Sequence, residues 1–417
     1  MVYSRRAQHN ITLEPATEHD VVQTVRFANE HNLPFLAVAS GHGAITTVER
    51  LQNGIEIWMR QLSSISIAED GKTATFGGGV LVNNVTDALW SAGKQTVTGG
   101  CECVSLLGPG LGGGHGFLQG RHGLISDQFI AMNIVLADGS LHTLNPESEL
   151  WWAVQGAGHN FGIVTSVTSK IHEVKHPNWA YQSFIFTGDK VEGLYETINR
   201  HLLKNGTQSV DIINYSFFFN HPGMDPVSPV IAFFILQEGV DAVDPVYTAP
   251  FTALGSSPPC QKAGFVNIRF PIELQTYNIS AQRQVYDVFA SAIRANPALN
   301  GSLFLFEDCS TQGVKAVPHE STAYPFRQSN LLVAPLIIYK SSGAELDERA
   351  EELGVSLRQI LHEASGQDEL HAYVNYAFGN EDVKSWYGYE EWRQERLLAL
   401  KNKYDPDREF SFYAPIA

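Results

Sequence analysis

Apolar positions recur at helical spacing, then at alternate positions, and each switch punctuates the chain. Thr17 followed by Asp20 forms a capping-box pattern, and Val21, Val25 and Ala28 follow at helical spacing, which predicts a helix to about residue 31. Pro34 leads an apolar strand, "FLAVA", that ends in "SGHG". Residues 55–59 and 64–77 read as strands, with Asp70-Gly71 as a hairpin turn. Val82, Val85 and Leu89 mark one face of a helix that Gly93 closes. "FIAMNIVLADGSLHTL" reads as a hairpin about Asp138-Gly139, "PESELWWAVQG" as a short helix with Pro146 near its first position, and "FGIVTSVTSKIHEV" as a strand. Near residues 175–179 the texture changes. Strands such as "SFIFTG", "NYSFFF", "PVIAFFILQ", "SLFLFED" and "NLLVAPLIIYK" alternate with helical stretches at about 188–203, 281–298 and 344–364, and a last helix is expected around 389–402. The pattern predicts an α+β protein whose second part carries a mostly antiparallel sheet flanked by helices.

Glycine-rich stretches interrupt the first part. "GGCECVSLLGPGLGGGHG", residues 99–116, contains a formal G-x-G-x-x-G at Gly108–Gly113. A dinucleotide fingerprint of the doubly wound kind needs a buried strand before it and a helix starting inside it. Here the preceding residues give a broken strand, Pro109 fills a variable position, and the glycines that follow oppose a helix. The expectation is a turn-rich connection whose backbone lies flat against a ligand, with N–H groups turned to anionic oxygens. "GAGHNFG" (156–162) and "SGHG" (40–43) have the same character.

Other motifs carry less. His172 and His176 fit H-E-x-x-H, but the segment has strand composition, and extended residues four apart are separated by roughly 13 Å, too far to share a zinc ion. His115 and His122 read as loop histidines bonded to backbone. There is no G-x-S-x-G and no Walker lysine.

Composition narrows the class. The chain has 417 residues, 44% hydrophobic and 17% charged, enough for two to three domains with ordinary cores. The net charge of −16, without a basic block, argues against nucleic acid as a partner, and no apolar run is long enough to cross a membrane. No signal-peptide pattern is visible at the start. Four cysteines, Cys101, Cys103, Cys260 and Cys309, are too few for a disulfide scaffold.

Four segments, in order and spacing, complete the picture: "PFLAVASGHG", "GGCECVSLLGPGLGGGHG", "WWAVQGAGHNFGIVTSV" and "YVNY…LKNKYDPDREF". Through them the chain resembles the berberine-bridge-enzyme-like FAD-linked oxidases of the vanillyl-alcohol-oxidase type. The resemblance implies a PCMH-type FAD-binding domain over 1–175, a substrate-binding domain over 176–370, and a segment, 371–417, that returns to the FAD domain. It implies FAD bonded to His42 through the 8α methyl and to Cys101 through C6 of the ring. Ser40, Gly41, Gly43 and the Gly112, Gly113, Gly114 run would cradle the cofactor, with Gly162, Ile163, Val164 and Asn375 also against it. Val38 and Ser40 stand where family members often carry arginine and glycine.

The resemblance further implies hydride transfer to flavin N5 and O2 as acceptor, giving hydrogen peroxide. Y-x-N-Y occurs at Tyr373–Tyr376. Tyr376 is the expected base, with Tyr373 as the alternative. In a strand the two would point to opposite faces, and a basic role asks for a lowered phenol pKa. The aromatic content favours a secondary-metabolite intermediate as substrate. An oligosaccharide, or a non-redox cyclisation on the same scaffold, is the alternative.

Overall fold

In this computed structural model, which describes residues 8–255, 266–340 and 342–416, the chain divides into two compact units. Cys260 lies outside the described residues. One unit runs to Val174 and adds Gly313–Arg327 and the chain from Gly379 on. The other comprises Lys175–Gln312 and Gln328–Phe378. This division departs from the sequence boundaries in two places: 313–327 folds with the first unit, and 371–378 with the second.

The first unit begins with a strand, Gln8–Leu13, which its weakly patterned sequence does not announce. The helix Glu18–His31 follows. The Thr17 hydroxyl accepts the Asp20 N–H (3.2 Å) and the Asp20 carboxylate accepts the Thr17 N–H (2.8 Å), so the capping box forms. The buried face of the helix, Val21, Val25 and Ala28, packs in one core with Phe35, Ile55 and Ile57. Those three residues belong to Phe35–Val38 and Gln52–Trp58, which make a parallel sheet with Gln8–Leu13 around the central Gln52–Trp58. A second, antiparallel sheet has the order Ile65–Ile67, Thr73–Gly77, Ile163–Lys170, Phe129–Val135, Leu141–Leu144.

Two local expectations fail for identifiable reasons. The helix expected after Pro146 is a single turn at Trp151–Val154. Asn145 diverts the preceding residues into a side-chain-closed turn, its Oδ1 accepting the Glu147 N–H at 3.0 Å. Conversely Leu107–Leu111, "LGPGL", is one turn of helix in spite of its glycines. Pro109 lies in the first turn, where N–H groups lack intrahelical partners in any case.

The Gly313–Arg327 segment is clamped to the first unit by buried polar groups. Arg327, completely buried, makes a forked pair with Asp127 at 2.9 and 2.7 Å and also donates to the Thr322 hydroxyl. Arg393, from the helix Glu391–Tyr404, donates to the carbonyls of Thr322 and His319. The same helix supplies Lys401, whose buried ammonium is held by Asp405 (2.6 Å) and the carbonyls of Asn160 and Phe410.

The second unit is a seven-stranded antiparallel sheet among the described residues. Its order is Trp179–Phe186, Val230–Glu238, Ile212–Phe219, Leu303–Cys309, Leu331–Tyr339, Val266–Arg269, with Ile272–Leu274 also paired to Leu331–Tyr339. The helices Val191–Ile198, Ile279–Ala295 and Ala344–Ser365 contribute to one core with Phe184, Phe218, Phe233, Phe304 and Phe306. Alternation sorts each strand: Asn214, Ser216 and Phe218 lie on the core side, and Tyr215, Phe217 and Phe219 on the other. No helix among the described residues is long and apolar enough to cross a membrane.

Candidate active site

In the first unit, the strand Phe35–Val38 delivers a loop that carries Ser40, Gly41, His42 and Gly43. The Ser40 hydroxyl accepts the Ser105 N–H at 3.0 Å, which ties this loop to the cysteine loop 65 residues away. Gly41 holds φ +69°, and a Cβ there would meet no described atom within 4 Å. At Gly43 a Cβ would lie 2.5 Å from the Tyr413 ring, so the returning C-terminal segment requires glycine there. His42 is half-buried, and Cys101 and Cys103 are both exposed.

The glycine run itself is explained by packing. Gly113 (φ +98°) and Gly114 (φ +85°) would place a Cβ 2.6 Å from the Tyr324 ring and 2.7 Å from Ile125. Their carbonyls accept the N–H groups of Ser126 and Ile125, both at 2.9 Å. Gly112 caps the Leu107–Leu111 turn. Gly162 lies against Ile134, and Ile163 and Val164 pair in the sheet with Val135 and Ile134.

Two histidines in these loops are held neutral. Burial pushes His115 down to about 4. Its Nδ1–H donates to Gln119 Oε1 (2.8 Å) and its Nε2 accepts the Tyr324 hydroxyl (2.9 Å), so side chains meet both ring nitrogens. His159 falls to about 3, through burial and then the Lys401 charge, with its Nε2 2.7 Å from the Tyr387 hydroxyl. His122 stacks on His172 at 3.7 Å. His172 lies in the short strand His172–Glu173 and contacts Gln128 Oε1 at 2.9 Å, so the H-E-x-x-H segment is extended at its start.

The second unit holds the Y-x-N-Y segment, and here the structure corrects the sequence. Val374–Tyr376 is a turn of 3-10 helix, not a strand. Tyr373 and Tyr376 therefore do not point to opposite faces: their rings meet edge to face with centroids 5.2 Å apart. The Asn375 amide donates to the Tyr373 hydroxyl at 2.7 Å. The Tyr376 hydroxyl donates to Glu307 Oε2 at 2.9 Å, and the Arg269 guanidinium lies 4.8 Å from the Tyr376 ring centroid. Burial, and then the Glu307 charge, hold the Tyr376 phenol well above its ordinary range, the reverse of the lowering that a phenolate base requires. Glu307 is itself raised by burial. Sequence reasoning missed Glu307. Its signal was a carboxylate at the end of the alternating strand "SLFLFED", two positions beyond Leu305 on the same face.

Glu307 also has aromatic neighbours. Tyr215 is its partner across the sheet, and Tyr215 and Phe217 both stack on Phe234, at 4.9 and 5.8 Å. The carboxylate is thus set into an aromatic face.

The residues of the first unit fit the flavin dinucleotide that the resemblance implies. An accessible thiol and a half-buried imidazole stand on two loops joined by the Ser40–Ser105 bond, and Gly41 offers its backbone without a side chain in front of it. Comparisons with known proteins agree. The FAD binding domain family matches residues 10–145. FAD-linked oxidoreductase chyH of Penicillium rubens is 54% identical over 98% of this chain and 86% of its own length. FAD-linked oxidoreductase chry5 of Gibberella zeae is 53% identical over 98% and 87%. Among solved structures, BBE-like 1 of Physcomitrella patens superposes with a TM-score of 0.80 over 97% of this chain and 91% of its own, at 19% identity. A chitooligosaccharide oxidase gives 0.80 over 98% and 92%, also at 19% identity. The fold is that of the BBE-like, PCMH-type flavoproteins, and the chain belongs to the FAD-linked oxidoreductases, enzymes that use FAD.

Proposed function

We propose that this enzyme oxidises a small aromatic organic substrate, of the kind met as secondary-metabolite intermediates, at a carbon that bears a hydroxyl group. The observation that carries the reading is the Tyr376–Glu307 hydrogen bond, with Tyr215 opposite Glu307 and stacked on Phe234. An aromatic face recognises a planar ring by stacking, worth about 0.5–1.5 kcal/mol per ring pair beyond area burial.

What FAD supplies when bound is a hydride acceptor at N5, with O2 as terminal acceptor giving hydrogen peroxide. The chain's own residues handle the proton. The substrate hydroxyl donates to the Tyr376 oxygen while Tyr376 donates to Glu307. As hydride leaves the carbon, the substrate proton moves to Tyr376 and the phenol proton moves to Glu307. Tyrosine so remains neutral before and after, which its raised pKa demands. The proton rests on a carboxylate whose own pKa is raised by burial. Tyr373, held by Asn375, packs against Tyr376 and fixes its ring.

On the cofactor side, His42 and Cys101 would be the residues that hold the flavin ring covalently. Ser40, Gly41 and Gly43 would offer backbone N–H groups to the pyrophosphate, and Gly112–Gly114 and Gly162–Val164 would support the loops around it.

Anaerobic mixing with an aromatic carbinol should bleach the flavin with a rate that Tyr376→Phe lowers. A flavin that keeps its oxidised colour with substrates that the enzyme converts would overturn the redox reading in favour of a cyclisation. The absorbance of acid-precipitated protein reports covalent attachment: yellow that stays with the pellet supports His42 and Cys101, and yellow lost to the supernatant refutes both.

A further inference from the structure

We propose that Cys101 and Cys103 are a redox-active pair that closes reversibly to a disulfide. The two sulfurs already lie 3.5 Å apart, and both side chains are exposed. Cys101–Val104 is a four-residue turn, closed by the Val104 N–H on the Cys101 carbonyl at 3.2 Å. The Cα atoms of residues one and three of such a turn lie about 5.5 Å apart. That falls in the range of roughly 4.4–6.8 Å between the Cα atoms of bridged cysteines. The turn is also anchored from outside: Asn83 N–H donates to the Glu102 carbonyl (3.1 Å) and Val82 N–H to the Val104 carbonyl (2.9 Å). Closing the bridge therefore asks for side-chain rotation within a turn that is already formed. Cys309 offers the contrast. It sits half-buried in the strand Leu303–Cys309, where burial pushes its thiol pKa up.

Glutathione disulfide is the oxidant by class. One cysteine thiolate attacks its S–S bond, forming a mixed disulfide and releasing one glutathione thiolate. The second cysteine thiolate then displaces the other glutathione. Overall the two cysteines lose two electrons and two protons, and one glutathione disulfide becomes two glutathiones. The consequence for the cofactor rests on the assignment of Cys101 to flavin C6. A Cys101 sulfur bridged to Cys103 has no thiol with which to attach the ring, so the pair selects between single and double attachment.

The test is to equilibrate the purified holoenzyme in glutathione buffers from reducing to oxidising, quench with acid, alkylate, digest, and weigh the peptide that contains residues 101–103. The expected result is a fraction, growing with oxidation, that lacks two hydrogens and takes up no alkylating agent, while Cys309 is alkylated after denaturation at every ratio. Cys103→Ser should instead trap a stable glutathione adduct on Cys101. Two alkylated thiols at the most oxidising ratio, or wild-type adducts that persist on both cysteines, would overturn the pair. Flavin bonded to Cys101 in every molecule would overturn it too, yet leave the attachment reading standing. A bridge that forms in protein never carrying flavin on Cys101 would do the opposite, sinking the attachment and sustaining the pair.

Discussion

The two units organise their chemistry in opposite ways. In the first, the candidate groups stand on loops. Ser40, His42 and Cys101 are placed by turns, by glycines that packing requires, and by the Ser40–Ser105 hydrogen bond between loops. In the second, Glu307 stands on a strand, and its direction follows from alternation alone: Asp308, the next residue, faces the core, where Tyr277 donates to it at 2.7 Å. Loops bring together groups distant in sequence but depend on many local contacts. A strand fixes direction with almost no local signature. The first arrangement should therefore fail through folding and cofactor content, and the second through rate.

The largest expected effect is on rate. Tyr376→Phe should lower anaerobic flavin reduction by about 10² to 10⁴, the usual share of general acid–base groups, with the flavin spectrum unchanged. Glu307→Gln should lose nearly as much, and the double variant should be no worse than the poorer single one, because a relay broken at either end is broken. Additive losses in stopped-flow measurements would show two independent roles and end the relay. Loss in Tyr373→Phe alone would move the proton acceptor three residues upstream.

That pair also marks the limit of what the sequence disclosed. The Y-x-N-Y segment was legible by resemblance; the capping box at Thr17, both Asp-Gly hairpins and most strands of the second unit's sheet were legible from the residues themselves, because alternation and turn chemistry are local. Glu307 was not legible, since a carboxylate at the end of a strand looks like a solvated strand end until Tyr376 is seen to meet it. Arg327 and Arg393 were hidden for the same reason: both are completely buried, and nothing near them in sequence names Asp127 or the carbonyls they hold. The boundaries of 313–327 depend on those two side chains. The glycine run at 112–114 was legible as a motif but not as to cause, which at Gly113 and Gly114 is packing against Tyr324 and Ile125.

Next in size is stability in the first unit. Asp127→Asn leaves the completely buried Arg327 without its charge partner, and breaking a buried pair from one side costs about 3–5 kcal/mol. Chemical denaturation of the flavin-bound protein should show a loss of that order. A change below 1 kcal/mol, on the scale of an exposed pair, would mean that the 313–327 segment is held chiefly by Arg393 and by the Trp152 indole on the Glu320 carbonyl.

A smaller effect follows from the neutral histidines. The pKa of His115 is about 4 in the folded protein and that of His159 about 3, both below the ordinary 6.5. As pH falls from 6.5 towards 4, the unfolded chain takes up these protons and the folded chain does not. Stability is therefore full above 6.5 and is lost through that window, by up to about 1.4 kcal/mol per pH unit for each histidine. Melting temperature against pH should be measurably flatter in His115→Gln. An unaltered slope would mean that His115 takes up its proton in the folded protein as readily as in the unfolded chain.

The smallest stability effect separates conformation from packing within the loops themselves. Gly41→Ala and Gly113→Ala both put an L residue at positive φ, but only at Gly113 does the new Cβ meet a ring, at 2.6 Å. Gly41→Ala should cost about 1–2 kcal/mol, the price of left-handed backbone alone, and Gly113→Ala distinctly more. The informative measurement is flavin content beside stability. If the Gly41 backbone lies against the dinucleotide, Gly41→Ala should lower bound flavin far more than its small stability loss explains, because its Cβ would stand where the cofactor approaches. Gly113→Ala should lose flavin only in step with stability. Should both variants fall on one line of flavin content against stability, the 40–43 loop is a structural turn and the dinucleotide binds elsewhere.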